Sequence, residues 1–360
     1  MNMQKEKSAG FLGFLHSFRG YAILCIVAGH AVAVIYFSIY SRYEMSDPVL
    51  ILNEILFNQC TLYFALISGL LFSSVLKVKS YKKFYVSKVL YVLLPYLFFT
   101  LLYTFVRFQR HNFVHVDMNR MDFVADHILQ NILYGRANFV LWYIPVLFGL
   151  YLLTPLYSFL LSQKKYTNIL LWVIILLPLI STGFKIPILF GSTIVKIIYF
   201  SGAYVLGMYL GENLEANIIY LKKKWLLISA VVFVSTIVLC YLHYYNVTNF
   251  KGVSIQESVY YIQKICLAAL VILFFKRLGE KQPVWLTKVA ADSTPIYFIH
   301  GAIVMTFSSW FLFSGITEYV SLNICISSVL LLVFAVGLSM LISTLIKKIF
   351  GKNSRMIIGA

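Results

Sequence analysis

Charge is scarce in this chain. Of its 360 residues only 12% are Asp, Glu, Lys or Arg, against 61% hydrophobic. A soluble globular domain needs roughly twice that charge to cover its surface, so that class is excluded. Acids are the scarcer sign, 13 against 30 Lys and Arg, which leaves a net charge of +17. Cysteine is also sparse. Cys25, Cys60, Cys240, Cys266 and Cys325 are odd in number and all lie inside apolar runs. They make no disulfide framework and show no metal-ligand spacing; they read as small packing residues. There is no internal repeat, no low-complexity linker, and no small-residue cleavage site after a short apolar run. Lys5 and Lys7 precede Gly20–Tyr40 as in a signal peptide, but that run is too long for one and is expected to stay as a membrane span.

Long apolar runs stand where a soluble core would be. They cover roughly 20–40, 50–76, 89–106, 139–161, 167–184, 193–211, 225–245, 257–275, 291–313 and 321–346. The reading is an all-α polytopic membrane protein, a single domain over 1–360 with about ten transmembrane helices and both ends on one side. In that weave one side collects Lys5, Lys7, Arg19, the cluster Lys77, Lys79, Lys82, Lys83 and Lys88, and Lys164 with Lys165. It also takes Lys222 to Lys224, the group Lys276, Arg277, Lys281 and Lys288, and the tail cations Lys347, Lys348, Lys352 and Arg355. The positive-inside rule places that side, and both termini, in the cytoplasm. Anionic headgroups of the lipid bilayer then account for the positive surplus, and no nucleic-acid partner is implied. Pro178 and Gly183 interrupt the run at 167–184, which predicts a short or broken helix there.

The longest stretch outside these runs, 107–138, falls on the opposite, extracytoplasmic side. Met121, Val124, Ile128, Ile132 and Leu133 recur at helical spacing. Asn119 with Asp122 suits a helix start and Gly135 a stop, which predicts an amphipathic helix at the membrane interface. His111, His115, Asp117, Asp122, Asp126 and His127 cluster here as well. A solvated loop explains them better than a metal site, which needs converging ligands, and no metal is expected.

Arg19 and His30 stand eleven residues apart across an almost wholly apolar run. On a helix that is about three turns, so both share one face, roughly 16 Å apart along the axis. An arginine at the membrane edge thus lies in line with a histidine near the midplane. Ionisable groups at that depth mark functional sites by default; the alternative is a histidine hydrogen-bonded to a neighbouring helix. In the second run Glu54, Asn58, Thr61, Ala65 and Ser68 recur at intervals of 4, 3, 4 and 3, one polar stripe along a helix face. That stripe suits a hydroxyl-lined path or bonding between helices, and Glu54, near the outer boundary, reads as a solvated residue sooner than as a catalytic one. His300 lies at about the depth of His30, with a catalytic and a structural reading both open, and Asp292 reads as a helix-start residue. Asn138, Trp142 and Tyr143 open the fourth run, as an aromatic belt or as a platform for a sugar ring.

Four stretches together resemble the acyltransferase 3 family: Arg19-x10-His30, Leu66-Ile67-Ser68-Gly69, Leu141-Trp142-Tyr143, and Ser293-x3-Tyr297-x2-His300. Their order and spacing run over nearly the whole chain. The resemblance implies an integral membrane O-acyltransferase of bacterial glycans in the cytoplasmic (inner) membrane. Acetyl-coenzyme A or another short acyl-CoA would be its donor substrate, with no bound cofactor. Its acceptor would be a surface or lipid-linked polysaccharide such as O-antigen, capsule or exopolysaccharide. It implies His30 as general base and Arg19 as a cation for the donor's phosphates, where a positive-inside anchor is the plain alternative. Glu54, Asn58, Ser68, Trp142, Tyr297 and His300 would line or support the acceptor path. The family's Arg-x2-Arg before a proline reads here as Lys88-Val89-Leu90-Tyr91 ahead of Pro95, so Lys88 and Tyr91 replace a bidentate pair. Some relatives carry an appended extracytoplasmic transferase domain, so a separate partner of that kind is expected if the helices alone do not suffice. The rival reading is a polysaccharide exporter or flippase, since intramembrane polar residues also suit transport.

Overall fold

The computed structural model describes residues 2–40, 46–76, 80–112, 128–162, 167–186, 191–313 and 324–359. It is helical almost throughout. The single sheet among the described residues is a two-stranded antiparallel hairpin, β1 (Asn249–Phe250) with β2 (Val253–Ser254). Eight stretches among the described residues are long and apolar enough to cross a bilayer, starting with Gly13–Tyr40 and ending with Ile324–Ile358. One of them, α12 (Trp225–Tyr244), has only 17% of its apolar window buried within the protein. Phe233, Ile237 and Tyr241 lie exposed on its outer face. In water that surface would be an aggregation hazard; in lipid it is the solvent-compatible face.

The first helix, α1 (Asn2–Tyr40), is the axis of the bundle. Against it pack α2 (Pro48–Phe57), α3 (Thr61–Leu71), α13 (Ile255–Leu278), α14 (Val284–Ala291), α15 (Ser293–Phe313) and α16 (Ile324–Phe350). The third apolar run forms α4 (Tyr81–Lys88), a π-helical turn over Val89–Leu93, and α5 (Leu94–Asn112). A short helix, α6 (128–134), ends at Gly135, whose φ of +66° lies in the left-handed region. The turn that follows leads into α7 (Tyr143–Ser162). The run at 167–184 is indeed broken: α8 (Thr167–Leu176) stops where Pro178 opens the four-residue α9 (Pro178–Ser181).

The tightest crossing is between α3 and α10 (Gly191–Glu212), which the short α11 (Leu214–Lys223) follows. A Cβ on Gly69 would lie 1.9 Å from the Tyr204 carbonyl oxygen, and one on Gly207 2.1 Å from that of Leu66. The two backbones touch because glycine is there, which is how helices gain contact in lipid without a hydrophobic drive.

One expectation is corrected here. The second apolar run is not one helix with one polar stripe; α2 and α3 are separated by a break at Asn58–Cys60. Gln59 has φ 59°, and its N–H donates to the Asn58 side chain at 2.8 Å instead of to the helix. The carbonyls of Ile55 and Leu56 thereby lose their helical partners. Lys264 of α13 replaces them, its Nζ donating to Ile55 O at 2.7 Å and Leu56 O at 3.0 Å. A lysine with no exposed surface holds the two half-helices apart.

Candidate functional site

The break directs polar groups into the bundle. A cavity of about 230 Å³ is lined by His30 of α1, Asn53 and Glu54 of α2, Asn58 and Gln59 of the break, and Thr61 of α3. Trp142 and Tyr297 close it from the other elements. Asn53 Oδ1 and Gln59 Oε1 are buried there and have no hydrogen-bond partner. Buried polar atoms of that kind are uncommon and costly, and both are acceptors waiting for donors. The nitrogen of the Gln59 amide is engaged, donating to Glu257 Oε2 at 2.7 Å.

His30 faces this cavity between two rings. Phe139 meets it edge-on, centroids 4.8 Å apart, and His300 lies nearly parallel at 5.6 Å with an interplanar angle of 23°. His300 is completely buried, and its Nδ1 sits 2.7 Å from Ile296 O. That bond fixes the hydrogen on Nδ1 and leaves Nε2 as an acceptor; Nε2 is buried without a partner.

A second cavity, about 160 Å³, lies beyond Tyr297 along the same bundle. Arg19, Ser68, Lys88, Tyr143, Ser293 and Thr294 line it together with Tyr297. Arg19 donates from Nη2 to Thr294 Oγ1 at 2.6 Å. The Lys88 ammonium stands 4.7 Å from the Tyr151 ring centre and 5.4 Å from that of Phe84, so its charge is held on aromatic faces. Tyr143 Oη and Ser293 Oγ are buried here without partners. Two cations and unengaged hydroxyls in a cavity this size suit the polar end of an anionic molecule.

The sequence candidates therefore divide. His30, Glu54, Asn58, Trp142 and Tyr297 share the first cavity, and Arg19, Ser68, Lys88 and Tyr297 share the second. His300 supports His30 through ring contact. Tyr91 lines neither cavity; the Arg355 guanidinium stands over its ring at 5.6 Å. Asp292 stands at the start of α15, where its carbonyl accepts from the Ile296 N–H at 2.9 Å. Its carboxylate accepts from Ser343 at 2.7 Å and pairs with Lys347 at 2.6 Å, tying α15 to α16. Met121, Val124 and the cluster from His115 to His127 lie outside the described residues, and of His111 only the backbone, in α5, is described; among the described residues no group of three metal-ligating side chains converges.

Several residues of the site go beyond the sequence candidates. Lys264 is visible as a lysine inside the run 257–275, which is signal enough for an intramembrane role. Thr294, Asn53 and Gln59 carry no such signal, because single polar residues in apolar runs are ordinary.

The geometry defines a class: an all-helical polytopic membrane protein with two polar cavities in line, one cationic, the other built around an imidazole. Within that class the chain belongs to the acyltransferase 3 family, whose acyltransferase domain matches residues 12–348, nearly its whole length. It is a membrane acyltransferase. No curated protein and no solved structure matches it.

Proposed function

We propose that this acyltransferase moves a short acyl group from cytoplasmic acyl-CoA to a hydroxyl of a surface or lipid-linked polysaccharide in a bacterial inner membrane. The observation that carries the reading is that the Arg19 and His30 cavities meet at one residue, Tyr297. The donor enters the Arg19 cavity from the cytoplasmic side. Arg19 and Lys88 draw its phosphates to the mouth, and the thioester reaches inward to Tyr297. The glycan occupies the His30 cavity, where its hydroxyls donate to Asn53 Oδ1 and Gln59 Oε1. Supplying donors to those two buried acceptors favours a polyhydroxylated acceptor over an apolar one.

In the reaction the acceptor oxygen attacks the thioester carbonyl carbon while His30 removes its proton. The carbon–sulfur bond then breaks, coenzyme A leaves as the thiolate, and the His30 proton is returned to that sulfur. His300 holds the plane of the His30 ring, the role of a positioning residue. A separate extracytoplasmic transferase partner is not required by this scheme, because donor and acceptor meet within the chain.

The interrupted helices α2–α3 and α8–α9 favour a second reading, a polysaccharide exporter, since discontinuous helices line the sites of many transporters. Replacing His30 with alanine in cells separates the two. Loss of ester-linked acyl groups from a surface glycan that is still present supports the enzyme; glycan that disappears from the surface and accumulates inside supports the exporter and refutes the proposal.

A further inference from the structure

Beyond α16 a 3₁₀ turn, Gly351–Asn353, folds the chain back into the short α17 (Ser354–Ile358). This tail packs on the π-helical turn Val89–Leu93, on α5 and on α15. Ile358 anchors it with no exposed surface, and Ile357 packs on the same core. The Gly359 N–H donates to the Arg355 carbonyl at 3.0 Å, and its φ of +75° turns the backbone inward. There a Cβ would lie 2.5 Å from Thr294 Cγ2 and 2.9 Å from the Tyr91 carbonyl oxygen. Thr294 is the residue that accepts from Arg19 and lines its cavity. The tail therefore lies against the wall of the Arg19 cavity.

Arg355, one turn before Gly359, is exposed, and its guanidinium lies 5.6 Å from the Tyr91 ring centre. Among the described residues it has no hydrogen-bond or ion-pair partner. A guanidinium laid across an aromatic face is held in place and keeps its N–H edge for an anion. Tyr91 sits between two residues of the cavity lining, Lys88 and Val92. It lines neither cavity itself, but it carries a cation beside one. The neighbouring carboxylate, Asp292, is taken by Ser343 and Lys347, so it leaves Arg355 unneutralised.

We infer that the C-terminal tail completes the donor site: Arg355, carried on Tyr91, binds phosphate groups of the acyl-CoA outside the Arg19 cavity. The inference rests on the acyl-CoA reading above. A cavity of about 160 Å³ takes the thioester and part of its arm; the bulky nucleotide, with its phosphates, stays outside, where the tail lies. Arg19 and Lys88 then meet the donor from the cavity and Arg355 from the tail. The tail is thereby part of the binding site as well as a clamp on α5 and α15.

Isolated membranes carrying the wild-type chain, Arg355→Gln or Arg355→Lys are supplied with labelled acetyl-CoA, or with labelled acetyl-pantetheine, and the transferred acetyl groups are counted. Acetyl-pantetheine has the same thioester and arm but no phosphates. Arg355→Gln should raise the KM for acetyl-CoA about fivefold, the upper range for a solvent-exposed charge pair. Its KM for acetyl-pantetheine should equal that of wild type, as should its abundance and its Tm in detergent. Arg355→Lys, which keeps the charge but not the fork, should fall between the two. Adenosine 3′,5′-bisphosphate, a fragment of the phosphate-bearing end, should inhibit wild type more strongly than Arg355→Gln. A KM raised alike for both donors would make the tail a clamp only. Unchanged KM values with equal inhibition would leave Arg355 to lipid headgroup phosphates. Either result overturns the inference. Wild-type membranes that transfer acetyl from neither donor refute the acyl-CoA reading instead, and the inference falls with it.

Discussion

Replacing Lys264 with methionine tests whether the break in the second membrane segment builds the site. The side chain is fully buried and donates to Ile55 O at 2.7 Å and Leu56 O at 3.0 Å. Each charge-assisted bond contributes about 1.5–3 kcal/mol, and each buried carbonyl left bare costs about 1–3 kcal/mol. Against this, methionine removes the penalty of keeping an ammonium out of water, itself several kcal/mol. Because the two carbonyls remain buried without their cation unless the break closes, the balance favours destabilisation, by about 2 kcal/mol. The half-helices are then expected to slide toward a continuous helix, turning Asn58 and Gln59 out of the His30 cavity. Thermal unfolding in detergent should show a Tm lower by several degrees, and acyl transfer should fall further than the loss of folded protein explains. The assay is the acyl-ester content of glycan per folded molecule, measured alongside Tm. A Lys264→Met protein with wild-type Tm and wild-type esters would refute the reasoning, because the break would then hold without its cation.

Two shorter tests bear on the rest of the frame. Gly69→Val places its Cβ 1.9 Å from Tyr204 O, with further side-chain atoms beyond it. The α3–α10 crossing must open, at a cost above the ~1–3 kcal/mol of ordinary overpacking; folded yield should collapse, and a normal yield with normal Tm would show that this crossing is not a backbone contact. Arg19→Lys keeps the charge and loses the fork that reaches Thr294 and an anion together, so the KM for acyl-CoA should rise by about tenfold, and by more for Arg19→Gln. An unchanged KM in steady-state assays of either variant would remove Arg19 from donor binding.

What can be read from the sequence divides along physical lines. The broken fifth run is legible because Pro178 removes a backbone donor in mid-run and Gly183 follows it closely, a pairing absent from α7, which continues through Pro155. The break at Asn58–Cys60 is not. Polar residues at intervals of 4, 3, 4 and 3 are what a single helix would show, and they mask a left-handed Gln59. What stabilises the break is Lys264, more than two hundred positions away, so no local pattern contains it.

The four stretches that carry the family resemblance have a common physical cause once their positions are known. Arg19, Ser68, Tyr143, Ser293 and Tyr297 line one cavity, and His30, Trp142 and Tyr297 the next. Tyr297 belongs to both, and its hydroxyl donates to the Val140 carbonyl, in the turn just before Trp142. Gly301 sits one turn further along α15, where a Cβ would lie 2.6 Å from Asn138 Oδ1 in that same turn. The turn is therefore clamped to α15 at two levels, and the depth of Trp142 is set by the helix that also carries His300. A shift of α15 along its axis would move the second imidazole and Trp142 together, so their spacing to each other is kept while both move relative to His30 on α1. Each of these distant stretches supplies one side of the same small enclosure, where a displacement of about one ångström would change what fits between the two cavities.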